Sequence, residues 1–346
     1  MEHRNTGAQS KDDSKNGAID VIASLFSIVL SGTHAPLDLR LKVVKALLGS
    51  AEPRVREIGA RALQALLKTD GFSHSHSFEF GARSRDYGYH PKTRHDGRAW
   101  FSTVLRFVEP LALSDNTDGQ LVRTAIAHEF RGLWTDSGQV DRLEQLSRAI
   151  RAKQFWREGW ISARQTRMYD SKRLSADILA RLSALEELLR PKDLFDRVRG
   201  LVLGSRDGRF DVDDSDGAED ERDYVAAAAR ATATAEQLGR DLALDQRMFD
   251  TLLPELLAGG GKVEDFGRGL ALGAEEPTCL WNLIVERLAT ANVTRVDLLC
   301  GFLEGLQVSG VSLVHTVLDR ALDDPTLCSM VSGSASERRY RRKGAA

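Results

Sequence analysis

The spacing of apolar residues along this chain is helical, and it constrains the fold more than any other feature of the sequence. Leu37, Leu41, Val44 and Leu48 recur at intervals of four, three and four residues, with charged residues between them. This spacing puts the four side chains on one face of a helix, whereas a strand would alternate at every second residue. Because strand-like alternation is hard to find elsewhere, we predict an all-α protein.

A second apolar stripe follows the first after a short link. Gly49 ends the first helix, and Pro53 stands where the first turn of a new helix tolerates proline. We therefore predict a helical hairpin over residues 36–68. Its second helix resembles the inner helix of a HEAT repeat, with Gly59 where alanine is usual. One hairpin cannot bury both of its faces, so stacking is implied, and both an irregular α-solenoid and a helical-repeat bundle stay open.

Helices are predicted along most of the remaining chain, beginning with a buried helix over residues 19–30. The other predicted helices cover residues 98–113, 121–135, 139–168, 174–189, 192–203, 224–238, 242–257, 278–290, 295–307 and 311–322. Residues 207–223 break this pattern, because nine acidic residues and two arginines with almost no apolar content favour a solvated connector. This acidic stretch provides the domain boundary.

Five segments follow from these patterns. We predict a helical domain at 17–203 that holds the HEAT-like hairpin, an acidic linker at 204–223 and a second helical domain at 224–330. We also predict disordered tails at 1–16 and 331–346, the second of which is basic.

The bulk composition excludes several classes of protein. Lys and Arg number 48 against 50 Asp and Glu, and the net charge of −2 provides no whole-protein attraction to nucleic acids or membranes. No apolar run reaches the roughly 18 residues that a membrane span needs. Cys279, Cys300 and Cys328 have neither disulfide-framework nor zinc-site spacing, which fits a reducing compartment. We therefore expect a cytoplasmic protein with no membrane partner.

Catalytic and metal-binding motifs fail when they are checked in turn. Residues 259–263 contain Gly261 and Lys262 but lack the remaining glycine and the hydroxyl residue of a phosphate-binding loop, so we interpret them as a helix-ending glycine turn. His128 and Glu129 lack the second histidine of a zinc-protease helix. We predict no catalytic residue, no cofactor and no metal site.

One long stretch, residues 71–97, has no helical stripe, and we predict an ordered loop there. Long ordered loops in helical domains often carry function. This loop combines aromatic and cationic side chains, which are common anchors of protein interfaces. The predicted partner-binding residues are Phe78, Phe80, Arg83, Arg85, Tyr87, Tyr89, Lys92 and Arg94. In the alternative interpretation, the aromatic side chains only pin the loop to the helices.

The run SFEFGARSRDYGY over residues 77–89, together with the hairpin before it, resembles helical regions of large bacterial STAND-type ATP-binding proteins associated with antiphage defence. The resemblance extends over about residues 20–170. In that class, a helical sensor follows an effector and a P-loop NTPase and recognises a protein of the invader. Because the effector and NTPase motifs are absent here, the resemblance implies the sensor-like helical part only.

A nucleic-acid alternative rests on residues 140–175, where nine basic residues outnumber four acidic ones. Guanidinium groups on phosphates beside aromatic platforms for bases would suit such a partner. Trp156 and Trp160 are four residues apart, however, as core anchors on one helix face would be. The predicted surface consists of Arg148, Arg151, Lys153, Arg157, Arg164, Arg167, Lys172 and Arg173.

These patterns lead to one functional prediction. We expect a non-catalytic protein-binding or scaffold module with a protein partner, of the kind that works in a bacterial antiphage defence assembly. The alternative is a nucleic-acid-binding helical module that uses the basic and aromatic surface at 142–173.

Overall fold

The structure is a computed structural model, and it describes residues 17–72, 86–203, 224–290 and 295–310. The regular elements within these ranges are helices, without a strand, which confirms the predicted all-α class. The helices are α1 (Ala18–Ser24), α2 (Leu37–Leu48), α3 (Pro53–Leu67), α4 (Arg94–Ala112), α5 (Thr117–Thr135), α6 (Val140–Lys153), α7 (Arg157–Asp170), α8 (Ala176–Leu189), α9 (Leu194–Arg197), α10 (Tyr224–Ala243), α11 (Gln246–Leu257), α12 (Val263–Gly273), α13 (Pro277–Thr290) and α14 (Asp297–Ser309). A π-helical segment at Val198–Val202 follows α9 directly.

The chain forms two compact units, Met1–Arg190 (unit 1) and Pro191–Ala346 (unit 2). This division falls before the acidic stretch at 204–223, which the sequence suggested as the boundary. Val198 and Val202 explain the difference, because both are buried in the core of unit 2. The predicted linker at 204–223, the helix at 311–322 and the tails at 1–16 and 331–346 lie outside the described residues.

Unit 1 consists of two rows of helices. Helices α1, α3, α5 and α7 pack side by side in chain order and form the odd row, while α2, α4, α6 and α8 form the even row in the same way. Successive helices also pack across the rows, as in the pairs α2–α3 and α4–α5. Stacked helical hairpins produce this order of contacts. The hairpin predicted at 36–68 is present as α2 and α3.

The start of unit 1 differs from the predicted buried helix at 19–30. Helix α1 ends at Ser24, and Ile19, Val21 and Ile22 are between 38% and 49% exposed. The apolar run extends beyond the helix because Phe26 and Ile28, which lie in the non-helical segment after it, are buried. The apolar run therefore forms two different structures, a short helix with exposed apolar side chains and a buried non-helical turn.

Helix α4 begins inside the stretch that the sequence predicts as a loop. The Thr93 hydroxyl accepts a hydrogen bond from the Asp96 backbone N–H, and the Asp96 carboxylate accepts one from the Thr93 backbone N–H. This reciprocal capping box satisfies two donors that a helix start leaves unpaired. The predicted loop at 71–97 therefore ends before Arg94.

The single helix predicted at 139–168 is two helices, α6 and α7. Gln154 has an extended backbone, and Trp156, which precedes α7, is 1% exposed. The indole of Trp156 lies directly over Gly159, where a Cβ atom would come within 2.2 Å of the ring. The helix is therefore interrupted between Lys153 and Arg157, at the point where Trp156 packs against Gly159.

Unit 2 repeats the two-row arrangement around one apolar core. Helices α10, α12 and α14 pack side by side, and α11 packs on α13. Helix α12 corrects the sequence interpretation, which gave residues 259–263 a glycine turn but predicted no helix after them. Gly259, Gly260 and Gly261 do have positive φ angles, and the helix then starts at Val263.

Glycines allow α12 to approach both of its neighbours at backbone distance. A Cβ atom on Gly269 would lie 1.8 Å from the Glu236 carbonyl oxygen of α10. A Cβ atom on Gly301 of α14 would lie 1.8 Å from the Glu264 carbonyl oxygen of α12. No side chain fits at either position, so these two glycines set the spacing of the three helices.

Within the residues that the structure describes, no helix is both long enough and apolar enough to span a membrane.

We expect Gly301→Val to destabilise unit 2 by about 3 kcal/mol or more, because the new side chain would push α14 away from the α12 backbone. Urea unfolding followed by far-UV circular dichroism measures the change. Gly97→Ala in α4 is the control, since a Cβ atom there meets nothing within 4 Å. The control should be neutral or stabilising by up to about 1 kcal/mol, and an unchanged Gly301→Val protein would contradict the packing described here.

Candidate functional site

An open groove of about 720 Å³ crosses the odd row of unit 1. Helices α1, α3 and α5 supply most of its walls, with further residues from the segment after α3 and from the end of α7. The polar side chains that line it are Asp20, Ser24, Ser27, Arg61, Gln64, Lys68, Asp70, His128, Glu129, Arg131, Thr135, Asp136 and Arg173. Cations and carboxylates are thus balanced along the odd-row groove.

A polar cluster joins α3 to α5 in this groove. The Gln64 side-chain amide donates to the Glu129 carboxylate at 3.0 Å, and its nitrogen lies 2.7 Å from His128 Nδ1. His128 Nδ1 is also 3.1 Å from the Glu129 carboxylate. The pair His128–Glu129, which the sequence considered and rejected as a zinc-protease motif, is therefore engaged with a glutamine. Among the described residues, no three metal-ligating side chains come together.

A buried carboxylate anchors α7 to α5. Asp170 has a fully buried side chain and accepts two hydrogen bonds from the Arg131 guanidinium, at 2.5 and 3.0 Å. Arg173 adds a contact at 3.3 Å to the same carboxylate. The pKa of Arg131 is raised, chiefly by its hydrogen bonds to Asp170. This paired geometry fixes both arginines at the groove while leaving their outer surfaces exposed.

The groove continues into the predicted recognition loop. Lys68 Nζ lies 5.9 Å from the centre of the Phe72 ring, a cation–π contact at the point where the loop leaves α3. Arg61 lies on α3 about two turns before Lys68 and is exposed. Arg61, Gln64 and Lys68 were not singled out from the sequence, whereas Arg173 of the groove belongs to the predicted basic surface. Their signal was the polar series at positions 57, 61, 64 and 68, which follows helical spacing on the face opposite the apolar stripe.

Half of the predicted partner-binding residues are described. Phe78, Phe80, Arg83 and Arg85 lie outside the described residues. Tyr87 is 45% exposed, and both Lys92 and Arg94 are exposed. Tyr89 is stacked on Trp100 with ring centres 5.5 Å apart, so this aromatic side chain does pin the loop to a helix.

Backbone contacts attach the same segment to the turn after α1. The Gly32 N–H donates to the Tyr87 carbonyl at 3.0 Å, and the Tyr89 N–H donates to the Thr33 carbonyl at 2.9 Å. His34 lies 2.7 Å from the Asp86 carboxylate. The Gly88 backbone N–H and the His34 side chain both hydrogen-bond Asp86 and lower the pKa of its carboxyl group.

Arg40 stabilises the segment between α1 and α2 from the protein interior. It is 3% exposed, and its guanidinium donates to the carbonyls of Ala35, Ser27 and Thr33 at 2.8 to 3.1 Å. It also stacks over Trp100 at 5.4 Å. Burial lowers the pKa of Arg40 despite the opposing effect of Tyr89. The arginine is therefore a structural brace rather than a ligand-binding group.

The basic surface at 142–173 is largely engaged in contacts within unit 1. Arg148 pairs with Glu144 at 2.8 Å, and Arg167 pairs with Glu186 at 2.5 Å. Lys153 donates to the Leu113 carbonyl at 2.9 Å. Glu144 is bound in turn by Arg181, and although burial alone would raise the pKa of Glu144, the two arginines lower it.

The remaining residues of this surface are held in different ways. Arg151 stacks over Phe155 at 5.5 Å, and burial lowers the pKa of Arg157. Arg164 is half-buried, whereas Lys172 and Arg173 are exposed. Trp156 and Trp160 are 1% and 0% exposed and therefore offer no platform for bases, whereas Tyr169 is 44% exposed. The nucleic-acid interpretation of this surface stays a prediction.

No family model, no curated protein and no solved structure matches the chain. We therefore infer the function from the groove and its contacts.

We expect Tyr89→Ala to destabilise unit 1 by about 1 to 3 kcal/mol, because it removes the stacking on Trp100. Tyr87→Ala is the matched control and should cost less than about 1 kcal/mol, since its side chain is nearly half exposed. Thermal unfolding compares the two variants. Equal melting temperatures would contradict the structural role of Tyr89.

We expect Asp170→Asn to destabilise unit 1 by about 3 kcal/mol, because it leaves Arg131 and Arg173 beside a buried neutral amide. The control is Glu187→Gln, which changes an exposed carboxylate paired with Arg190 at 3.1 Å and should cost less than about 1 kcal/mol. Urea unfolding measures both changes. A loss no larger for Asp170→Asn than for the control would show that the buried pair is not an anchor.

Proposed function

We propose that unit 1 binds a polypeptide partner in the odd-row groove and that the chain is a non-catalytic protein-binding or scaffold module. The observation that carries this proposal is the groove itself, which is open, has a volume of about 720 Å³ and is shared by three neighbouring helices. A ligand that spans several helices of one row is extended rather than compact. Stacked helices offer such surfaces to macromolecules.

The chemistry of the groove supports a polypeptide more than a polyanion. Arg61, Lys68, Arg131 and Arg173 are matched by Asp20, Asp70, Glu129 and Asp136 along the same walls. Carboxylates repel phosphates, so nucleic acid would lose here much of the attraction that its backbone normally provides. A peptide carries both donors and acceptors, and side chains of either charge, which such a mixed surface can pair.

The ordering of the walls also favours binding. Asp170 holds Arg131, and Glu129 and His128 hold Gln64, so these groups do not have to be immobilised when a partner binds. Preorganised side chains lower the entropic cost of association. A role in an antiphage defence assembly stays a prediction of the family resemblance, and the basic surface at 142–173 stays the alternative.

The test is affinity capture from the native cell with the full chain as bait, followed by mass spectrometry. Arg61→Glu replaces a cation of the groove with an anion, which repels an acidic group of the partner bound beside it. The variant should lower recovery of the partner by about tenfold or more. Arg106→Glu is the matched control, because Arg106 is also an exposed helix arginine but lies in the even row. It should recover as much partner as the unmodified chain.

Two results would contradict the proposal. Equal recovery by Arg61→Glu and the unmodified chain would exclude the groove as the binding surface. Recovery that disappears on nuclease treatment would favour the nucleic-acid alternative.

A further inference from the structure

An apolar surface of unit 1 has no partner among the described residues. Eleven large apolar side chains are exposed in the part of the chain that the structure describes. Six of them lie on α1, on the residue that follows it and on α2, and both of these helices pack on α3. These six, which we call the end face, are Ile19, Val21, Ile22, Leu25, Leu39 and Val43, each between 38% and 49% exposed. Clustered exposure of this kind marks an interaction surface.

The position of these residues in the fold explains why they are exposed. Helix α1 has α3 as its neighbour in the odd row, and α2 has α4 as its neighbour in the even row. The sides of α1 and α2 turned away from these neighbours therefore form one end of the two-row stack. Stacked helical repeats normally carry polar side chains on a terminal face that remains in water. The end face of unit 1 is apolar instead.

A charged stripe borders the end face on α2. Asp38, Lys42 and Lys45 are exposed and follow helical spacing directly beside Leu39 and Val43. None of these three charged groups makes an ion pair with another described residue. The negative charge lies near the helix start and the positive charges lie towards its end.

We propose that the end face binds the end face of a second copy of this chain, with the two α2 helices antiparallel about a two-fold axis. In this arrangement Leu39 packs on the partner's Val43, and Asp38 lies beside the partner's Lys42 and the partner's Lys45. Parallel packing would instead set like charges against each other. A two-fold interface of this kind uses the same patch on both copies, and the charges of this patch are self-complementary.

The N-terminal segment of the same chain is a weaker occupant. Residues 1–16 contain a single large apolar side chain, Met1, together with six charged residues besides histidine. One apolar side chain is too few to cover the six apolar side chains of the end face. This inference uses the opposite side of α1 from the groove and is independent of the proposed function.

The first test is sedimentation equilibrium of the full chain. We expect a concentration-dependent dimer, and we expect Leu39→Glu with Val43→Glu to raise the dimer dissociation constant at least about a hundredfold. Both positions are exposed, so circular dichroism should show a folded protein. Leu244→Glu is the control, because Leu244 is 72% exposed in unit 2, and it should dimerise like the unmodified chain. An unmodified chain that stays monomeric at high micromolar concentration would overturn the proposal.

The second test addresses the pairing of charges. Asp38→Lys makes the stripe wholly positive, and Lys42→Asp with Lys45→Asp makes it wholly negative. Each variant alone should dimerise more weakly than the unmodified chain, whereas an equimolar mixture should form a mixed dimer at low salt. Variants that dimerise alone as well as the unmodified chain would show that α2 does not pair with α2.

Discussion

Most helices in the described part of the chain pack against one neighbour in their own row and one in the other row. This pairing shapes both units. In unit 1 it produces the successive contacts from α1 to α7 and from α2 to α8. The polar face that is left over on the odd row becomes the groove, and the apolar face left over at one end of the stack becomes a surface for a partner. Both proposed binding surfaces are therefore outer faces of the two-row stack that no described helix covers.

Local patterns predicted much of the fold because they act over one or two helical turns. The stripe from Leu37 to Leu48 and the proline at position 53 were enough to place α2 and α3. The break between α6 and α7 was not predictable in this way, because it depends on the indole of Trp156 packing over Gly159. Helix α12 was missed for a related reason. Its glycines have poor helix propensity, and their value lies in contacts with α10 and α14 that only the folded unit provides.

The candidate site was harder to predict than the fold. Gln64 and His128 are 64 residues apart in sequence, and no motif links them before α3 and α5 pack together. The aromatic loop was visible from composition, but composition did not separate Tyr89, which is stacked on Trp100, from the exposed Tyr87. The basic stretch at 142–173 was likewise visible, whereas the carboxylates that pair with it on α6 and α8 became apparent only in three dimensions.

We propose that the odd row of unit 1 is the surface on which a protein partner binds. Hydrogen–deuterium exchange of the full chain, with and without the captured partner, tests it most directly, since it reports protection helix by helix. We expect added protection in α3 and α5, with α6 and α8 unchanged. Protection confined to α6 and α8, or to unit 2, would contradict it.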